Sequence, residues 1–160
     1  MAENNGLKIV VASDHAGFEL KESIRDHLQR QGRVVEDCGA FSALSSNWAD
    51  FGARAAAKVS ADPLHTVGIL VCGSGIGMSI VANKFPHVRA ALCHDENSAR
   101  LARSHNDANV LALGARVVDA ATAIRIVDAF LGTAFEGGRH QARLDYLRDG
   151  VEKKIFPSHD

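Results

Sequence analysis

The chain has 160 residues, 46% of them apolar, with 18 basic against 19 acidic side chains and a formal charge of −1. That length supports one well-buried core rather than two ordinary domains, so a single domain over residues 1–160 is expected. The near-neutral balance excludes the global field that gathers nucleic acid or an anionic membrane, and any anionic ligand must meet a local cluster.

The first residues, MAENNGLK, have neither the basic stretch nor the apolar stretch of a secretory leader, and no apolar run approaches the length of a bilayer span. A cytoplasmic protein is expected. Cys38, Cys72 and Cys93 are odd in number and widely spaced, with no CxxC, which argues against a disulfide framework or a structural zinc. Free thiols in a reducing compartment fit better.

In chain order, Leu7 to Ala12 is a short apolar run rich in β-branched residues, suited to a strand buried on both faces. Phe18 to Gln31 then spaces Phe18, Ile24 and Leu28 as a helix does. Arg33 to Asp37 predicts a second strand, Cys38 to Asn47 a loop, and about Asp50 to Ser60 an alanine-rich helix. Val67 to Cys72 is a third strand of the buried type, followed by a glycine loop and a helix over Met78 to Lys84. Val88 to Cys93 and Val110 to Leu113 predict strands on either side of a helix at Glu96 to Ser104. Asp119 to Leu131 predicts another helix, and Gln141 to about Lys154 a last, mostly charged one; Phe156 to Asp160 is expected to fray. The alternation implies right-handed crossovers and an α/β fold. That fold is a three-layer α/β/α sandwich, Rossmann-like, around a central five-stranded and mostly parallel sheet. In such folds ligands sit beyond the carboxyl ends of the strands.

The stretch VCGSGIGMSIVANK, Val71 to Lys84, is the one that carries chemistry. A dinucleotide fingerprint needs G-x-G-x-x-G, and here Met78 stands where the last glycine belongs. Asp95 lies near the distance of a ribose-binding acid, so spacing alone leaves that reading open. A phosphate loop of the G-x-x-x-x-G-K-[ST] kind fails for want of a lysine before Lys84. What remains is a nest of backbone amides over Gly73, Ser74, Gly75, Ile76 and Gly77, able to cradle an oxyanion or phosphate. One glycine would satisfy a tight turn; three with a serine favour an anion site. Cys72 ends the strand immediately before the nest, and position alone leaves it evenly between a core thiol and a reactive one. Cys38 and Cys93 read as core.

Ser13-Asp14-His15 follows the first strand at the same edge as Cys72, where Asp14 can cap the next helix and also orient His15. His105-Asn106-Asp107 ends the helix before the fifth strand and offers a titrating group beside an amide and a carboxylate. Arg139 and Arg143, four apart after Gly137-Gly138, can clamp a phosphate, and Arg116 follows the fifth strand at the rim. Arg148, Lys153 and Lys154 read as a solvated face; His27, His65, His87 and His159 earn no role. The spacing of His94, Asp95, His105 and Asp107 matches no strong metal-ligand motif, so no metal is expected. Gathered at one rim, a thiol base, a histidine, an amide cradle and an arginine clamp fit proton transfer beside a carbonyl in a small phosphorylated molecule.

Several segments together resemble one family: Ala12 to Gly17 (ASDHAG), Cys72 to Ile80 with Ala82 to Lys84, Ser104 to Asp107, Gly114 to Arg116, and Glu136 to Gln141 (EGGRHQ). In order and spacing, from about Leu7 to Glu152, the chain is similar to the ribose/galactose phosphate isomerases, and within them to ribose-5-phosphate isomerases of type B. The resemblance implies interconversion of ribose 5-phosphate and ribulose 5-phosphate with no cofactor. It implies Cys72 as the base that moves a proton between C1 and C2 through an enediolate, with the amides of Gly73 to Gly77 stabilising the oxyanion. His105 would assist opening of the furanose; Asp14, Asn106 and Arg116 would contact the sugar; His15, Arg139 and Arg143 would hold the phosphate. It further implies a homodimer, or a tetramer of paired dimers, with active sites shared between subunits. Many relatives carry Tyr-Pro after the second strand where this chain has Asn47-Trp48-Ala49-Asp50, which keeps a hexose 6-phosphate such as allose or galactose 6-phosphate as the alternative substrate. A non-catalytic sugar-phosphate-binding module is a further alternative, and a dinucleotide-dependent oxidoreductase a weaker one.

Overall fold

The computed structural model describes residues 6–157. Strands β1 (Lys8–Ser13), β2 (Val35–Asp37), β3 (Thr66–Cys72), β4 (Ala90–Leu92) and β5 (Val110–Gly114) form one sheet in the order β2-β1-β3-β5-β4. Every pairing is parallel, so the sheet expected to be mostly parallel is wholly so. Between and after the strands run α1 (Phe18–Arg30), α2 (Trp48–Ala61), α3 (Ile76–Ala82), α4 (Glu96–Asn106), α5 (Ala120–Gly132) and α6 (Arg139–Tyr146).

The two-residue period of the strands divides the core. Ile9, Val11, Ile69 and Leu111 point to one face, where Ile24, Leu28, Ala102, Ile126 and Phe130 of α1, α4 and α5 cover them. Val10, Ala12, Leu70 and Ala112 point to the other, under Ala55, Ala56 and Val59 of α2 and Met78 and Ala82 of α3. The strands are apolar on both sides because both sides are covered. The edge strand β4 is closed locally: the Asn83 amide nitrogen donates to Ala90 O at 3.0 Å and its oxygen accepts from Ala90 N at 2.9 Å.

The last helix departs from expectation. Instead of one α-helix over Gln141 to Lys154, α6 passes into a π-helical segment, Leu147–Glu152, and ends in a single α-turn, Lys153–Ile155. Gly150 is a poor helix former, and none of Leu147–Glu152 is fully buried, so little packing holds an α register there. Of the segments read at the two ends, residues 1–5 and 158–160 lie outside the described residues; Phe156 and Pro157 follow the last turn. Among the described residues no helix is long and apolar enough to cross a membrane.

One buried cation fastens the loop that leads to the site. The Lys21 side chain is fully buried, and its Nζ donates to both Asp37 oxygens at 2.8 Å and to the carbonyl of Ala40. The ammonium also lies 5.3 Å from the Phe18 ring centroid. It ties α1 to the end of β2 and the start of the 38–47 loop. Removing one member of a buried pair leaves a charge without its partner, whereas an exposed pair contributes little. Lys21→Ala is therefore expected to lower urea-unfolding stability by about 3 kcal/mol. Lys58→Ala, which breaks the surface pair with Glu36, should cost under about 1 kcal/mol. Equal losses would contradict this.

Candidate active site

At the carboxyl edge, β3 ends at Cys72 and the chain turns through Gly73-Ser74-Gly75 into α3. The turn has no room for a side chain at Gly75. Gly75 has φ +78°, and a Cβ there would lie 2.5 Å from Leu92 Cδ1 and 2.8 Å from the Leu113 carbonyl carbon. The Gly75 N–H donates to Cys72 Sγ at 3.1 Å, and the Ile76 N–H to Ser74 Oγ at 3.2 Å. The chain after β5 is strapped over this turn, because Ala115 N donates to Cys72 O at 2.8 Å and Arg116 N to Gly73 O at 2.9 Å. That strap lays the Arg116 guanidinium on Gly73, where a Cβ would meet its Nη1 at 3.0 Å.

These groups enclose a cavity of about 290 Å³ walled by Asp14, Trp48, Cys72, Gly73, Ser74, Gly77, Arg116 and Val117. Asp14 does both things the sequence allowed: its Oδ1 accepts from Gly17 N at 2.9 Å, capping the turn into α1, and it stands in the cavity wall. His15 lies just outside, its Nδ1 3.2 Å from Ser46 N and 3.3 Å from Ser46 O, so the loop fastened by Lys21 also fixes this ring. Trp48 lies against Gly77; a Cβ there would meet the indole at 2.7 Å. The N-cap role of Asn47, which accepts from Ala49 N at 2.9 Å, holds that helix start in place. Asp95, left open as a ribose-binding acid, instead caps α4, accepting from Ser98 N at 2.7 Å.

The other candidates do not share this rim. β5 runs from Val110, paired with Gly68, to Gly114, paired with Cys72, so four residues of strand separate the two edges. At about 3.3 Å per residue that is about 13 Å, and His105 and Asn106, at the end of α4, lie on the far side of it. The expectation of one rim within one chain is therefore corrected. A helix that follows a parallel strand returns to the opposite edge before the next strand begins. Arg139 and Arg143 join His105 there because Glu136 N donates to Ser104 O at 3.0 Å, pinning the start of α6 to the end of α4.

This second cluster contains two residues to which the sequence reading gave no role. His140 is buried and stacks on His105, ring centroids 4.2 Å apart and planes 11° from parallel. Both Nε2 atoms face Glu136 Oε2, at 3.9 Å from His105 and 3.8 Å from His140. Glu136 and His140 stand four apart within EGGRHQ, and that spacing is the signal that could have found them. Burial, then His105 and Arg139, push His140 below the usual histidine range. Among the described residues these three also form the group able to close on a metal ion, with ligand atoms within 4.8 Å of one another. The nearby arginines work against a cation there.

Beside the clusters, an apolar cavity of about 390 Å³ runs under the end of the chain, with Asn83, Val88, Ala91, Asn106, Leu147 and Ile155 in its wall. Ile76 and Ile80 on the outer face of α3 are each 52% exposed. The charged residues read as surface are surface, with Arg148 pairing with Asp145 and Asp149 and Lys153 with Asp149. His27 pairs with Asp128, His65 with Asp62 and His87 with Glu152, while His159 lies outside the described residues.

All three cysteines are free and buried, but only Cys72 opens on the cavity. Burial pushes the thiols of Cys38 and Cys93 up, which disfavours their reactive thiolates. Iodoacetamide at limiting concentration is expected to alkylate Cys72 first, read by peptide mass spectrometry; earlier labelling of Cys38 or Cys93 would contradict the assignment.

The family model described as Ribose/Galactose Isomerase matches residues 9–147. Ribose-5-phosphate isomerase B of Escherichia coli (strain K12) is 46% identical over 140 residues, covering 88% of this chain and 93% of that protein. Among solved structures, ribose-5-phosphate isomerase B of Clostridium thermocellum is similar with a TM-score of 0.90 at 44% identity, covering 94% of this chain and 100% of that one. The enzyme of that name from Mycoplasma genitalium, with bound ribulose-5-phosphate, has a TM-score of 0.86 at 43% identity, covering 89% of this chain and 94% of that one.

Proposed function

The chain belongs to the ribose/galactose isomerase family, and on that premise we propose that it is a single-domain enzyme interconverting D-ribose 5-phosphate and D-ribulose 5-phosphate. The observation that carries the mechanism is Cys72 in the wall of a small cavity that also holds Asp14, Gly73, Ser74, Gly77 and Arg116. From the open aldose, Cys72 removes the proton on C2, electrons shift to the carbonyl oxygen, and an enediolate forms. The amides of Gly73 to Gly77 and the Arg116 guanidinium stabilise its oxyanion, a charge absent from the ground state. The proton on O2 passes to O1, and return of the proton from Cys72 to C1 as the C2 carbonyl forms gives the ketose. Hydrogen leaves one carbon and returns to its neighbour, so no external electron acceptor is needed.

The two clusters on opposite edges support a site shared by two copies in a homodimer, or in a tetramer of paired dimers. One copy supplies Asp14, Cys72 and Arg116. The other supplies His105 for ring opening, Asn106 for the sugar, and Arg139 and Arg143 for the phosphate, which His15 meets from the first side. The exposed Ile76 and Ile80 and the apolar cavity beside Asn106 are the surfaces such an assembly would cover. Preference for a pentose over a hexose 6-phosphate is read as the ratio of kcat/KM for the two sugars. Free, buried thiols support a reducing compartment such as the cytoplasm.

Cys72→Ala is expected to lower turnover of ribose 5-phosphate by at least about 100-fold, since a positioned base contributes that much or more. His105→Asn should fall in the same assay. If sites are shared, co-expressing the two inactive variants recovers about a quarter of wild-type activity, because half the dimers are mixed and each holds one intact site. No recovery would overturn the shared site; full activity of Cys72→Ala would overturn the base.

A further inference from the structure

The far-edge cluster contains more than a ring-opening histidine and a phosphate clamp. The side chain of His140 is buried against the ring of His105, so it is poorly placed to touch substrate itself. What it touches is His105, over a nearly parallel ring face at 4.2 Å. Gly137 and Gly138 both have positive φ, at 66° and 54°, and that turn folds the start of α6 back so that the two rings meet. The fold thus builds a rigid surface against one face of a histidine whose side chain is otherwise 35% exposed.

Resting on the function proposed above, we propose that His140 is a positioning residue for ring opening. Its buried ring fixes the plane of the His105 imidazole, with the Glu136 carboxylate facing the edge of both rings. The remaining neighbours fit that role. Arg139 Nε lies 3.5 Å from His140 Nε2, so the buried ring is held at its edge as well as by the stack. The buried ring serves as the fixed support and the half-exposed ring as the one open to the sugar. In the step served, a proton leaves the anomeric O1, the bond from C1 to the ring oxygen O4 breaks, and O4 takes a proton, giving the open aldehyde. Freezing a proton-transfer group in the reactive orientation is the general contribution of such supporting residues.

The chemistry of the two sugars isolates this step. Ribose 5-phosphate closes into a furanose, but ribulose 5-phosphate has its C5 hydroxyl esterified and cannot close a five-membered ring onto C2. Deuterium uptake at C1 of ribulose 5-phosphate in D2O, followed by NMR, therefore requires the Cys72 base and no ring opening. The readout is the ratio of ribose 5-phosphate isomerisation to C1 exchange in one sample, which does not depend on the folded fraction. His140→Ala is expected to lower that ratio by about 10–100-fold, the usual loss for a residue that orients a reacting group. His140→Phe, which restores a flat face, should recover most of it; where the alanine variant does not fold, His140→Gln takes its place. An unchanged ratio, or a phenylalanine variant no better than alanine, overturns the proposal. Cys72→Ala must abolish the exchange itself. If wild type performs neither reaction, the functional reading has failed and this inference falls with it; if wild type performs both, the ratio tests His140 alone.

Discussion

An all-parallel sheet obliges every helix to carry the chain back to the edge where the next strand begins, and this one constraint distributes the chemistry of the molecule. Groups on the turns after strands, namely Asp14 after β1, Cys72 and the glycines after β3, and Arg116 after β5, collect at the carboxyl edge. Groups before strands collect at the other, as His105 does at the end of α4, and Arg139 joins it there because Glu136 N donates to Ser104 O. On the function proposed above, the first cluster supplies the base and oxyanion cradle and the second the proton-transfer and anion-binding groups. A second copy would bring the two together, and the exposed Ile76 and Ile80 of α3 are part of the surface we propose it covers.

Within the carboxyl edge the decisive interaction is the strap between the β3 and β5 turns. Cys72 O and Gly73 O accept from Ala115 and Arg116, and the close approach needs glycine at 75. The same contacts that deny room to side chains bring backbone N–H groups and one guanidinium to the wall of the cavity. A donor array fixed before the reaction stabilises developing charge without reorganising, which is what the proposed reaction asks of this rigid packing. Lys21 performs the corresponding task for the opposite wall. Held in the core by Asp37 and the Ala40 carbonyl, it fixes the loop whose Ser46 backbone meets His15 and whose end starts α2 at Trp48.

The β-branched runs before Cys72 and after Leu7 revealed buried strands because both faces of this sheet are covered, and that required only local pattern. Gly75 and Cys72 were likewise readable, since their spacing reports a tight turn at a strand end. The position of His105 was not, because its local sequence shows the end of a helix but not which edge of the sheet that helix reaches. Alternation of elements contains that information, yet it emerges only once the sheet is known to be parallel throughout. Asp95 misled for a related reason: a carboxylate at a helix start and a ribose-binding acid look alike until Ser98 is seen to occupy it. The π-helical turn at Leu147 was hidden because a charged segment with helical propensity carries no sign of how weakly it is packed.

His140 shows what a pair of residues can conceal. In EGGRHQ the arginine draws attention as the phosphate ligand, and the histidine beside it reads as one more polar residue on a solvated turn. Two left-handed glycines reverse that reading by turning the histidine inward onto a ring thirty-five positions earlier. The outward neighbour remains free for an anion and the inward one becomes its support. On the proposed function, a single turn would join phosphate binding by Arg139 to the orientation of His105, the group assigned to ring opening, and so link anchoring of the substrate to the step that exposes its carbonyl.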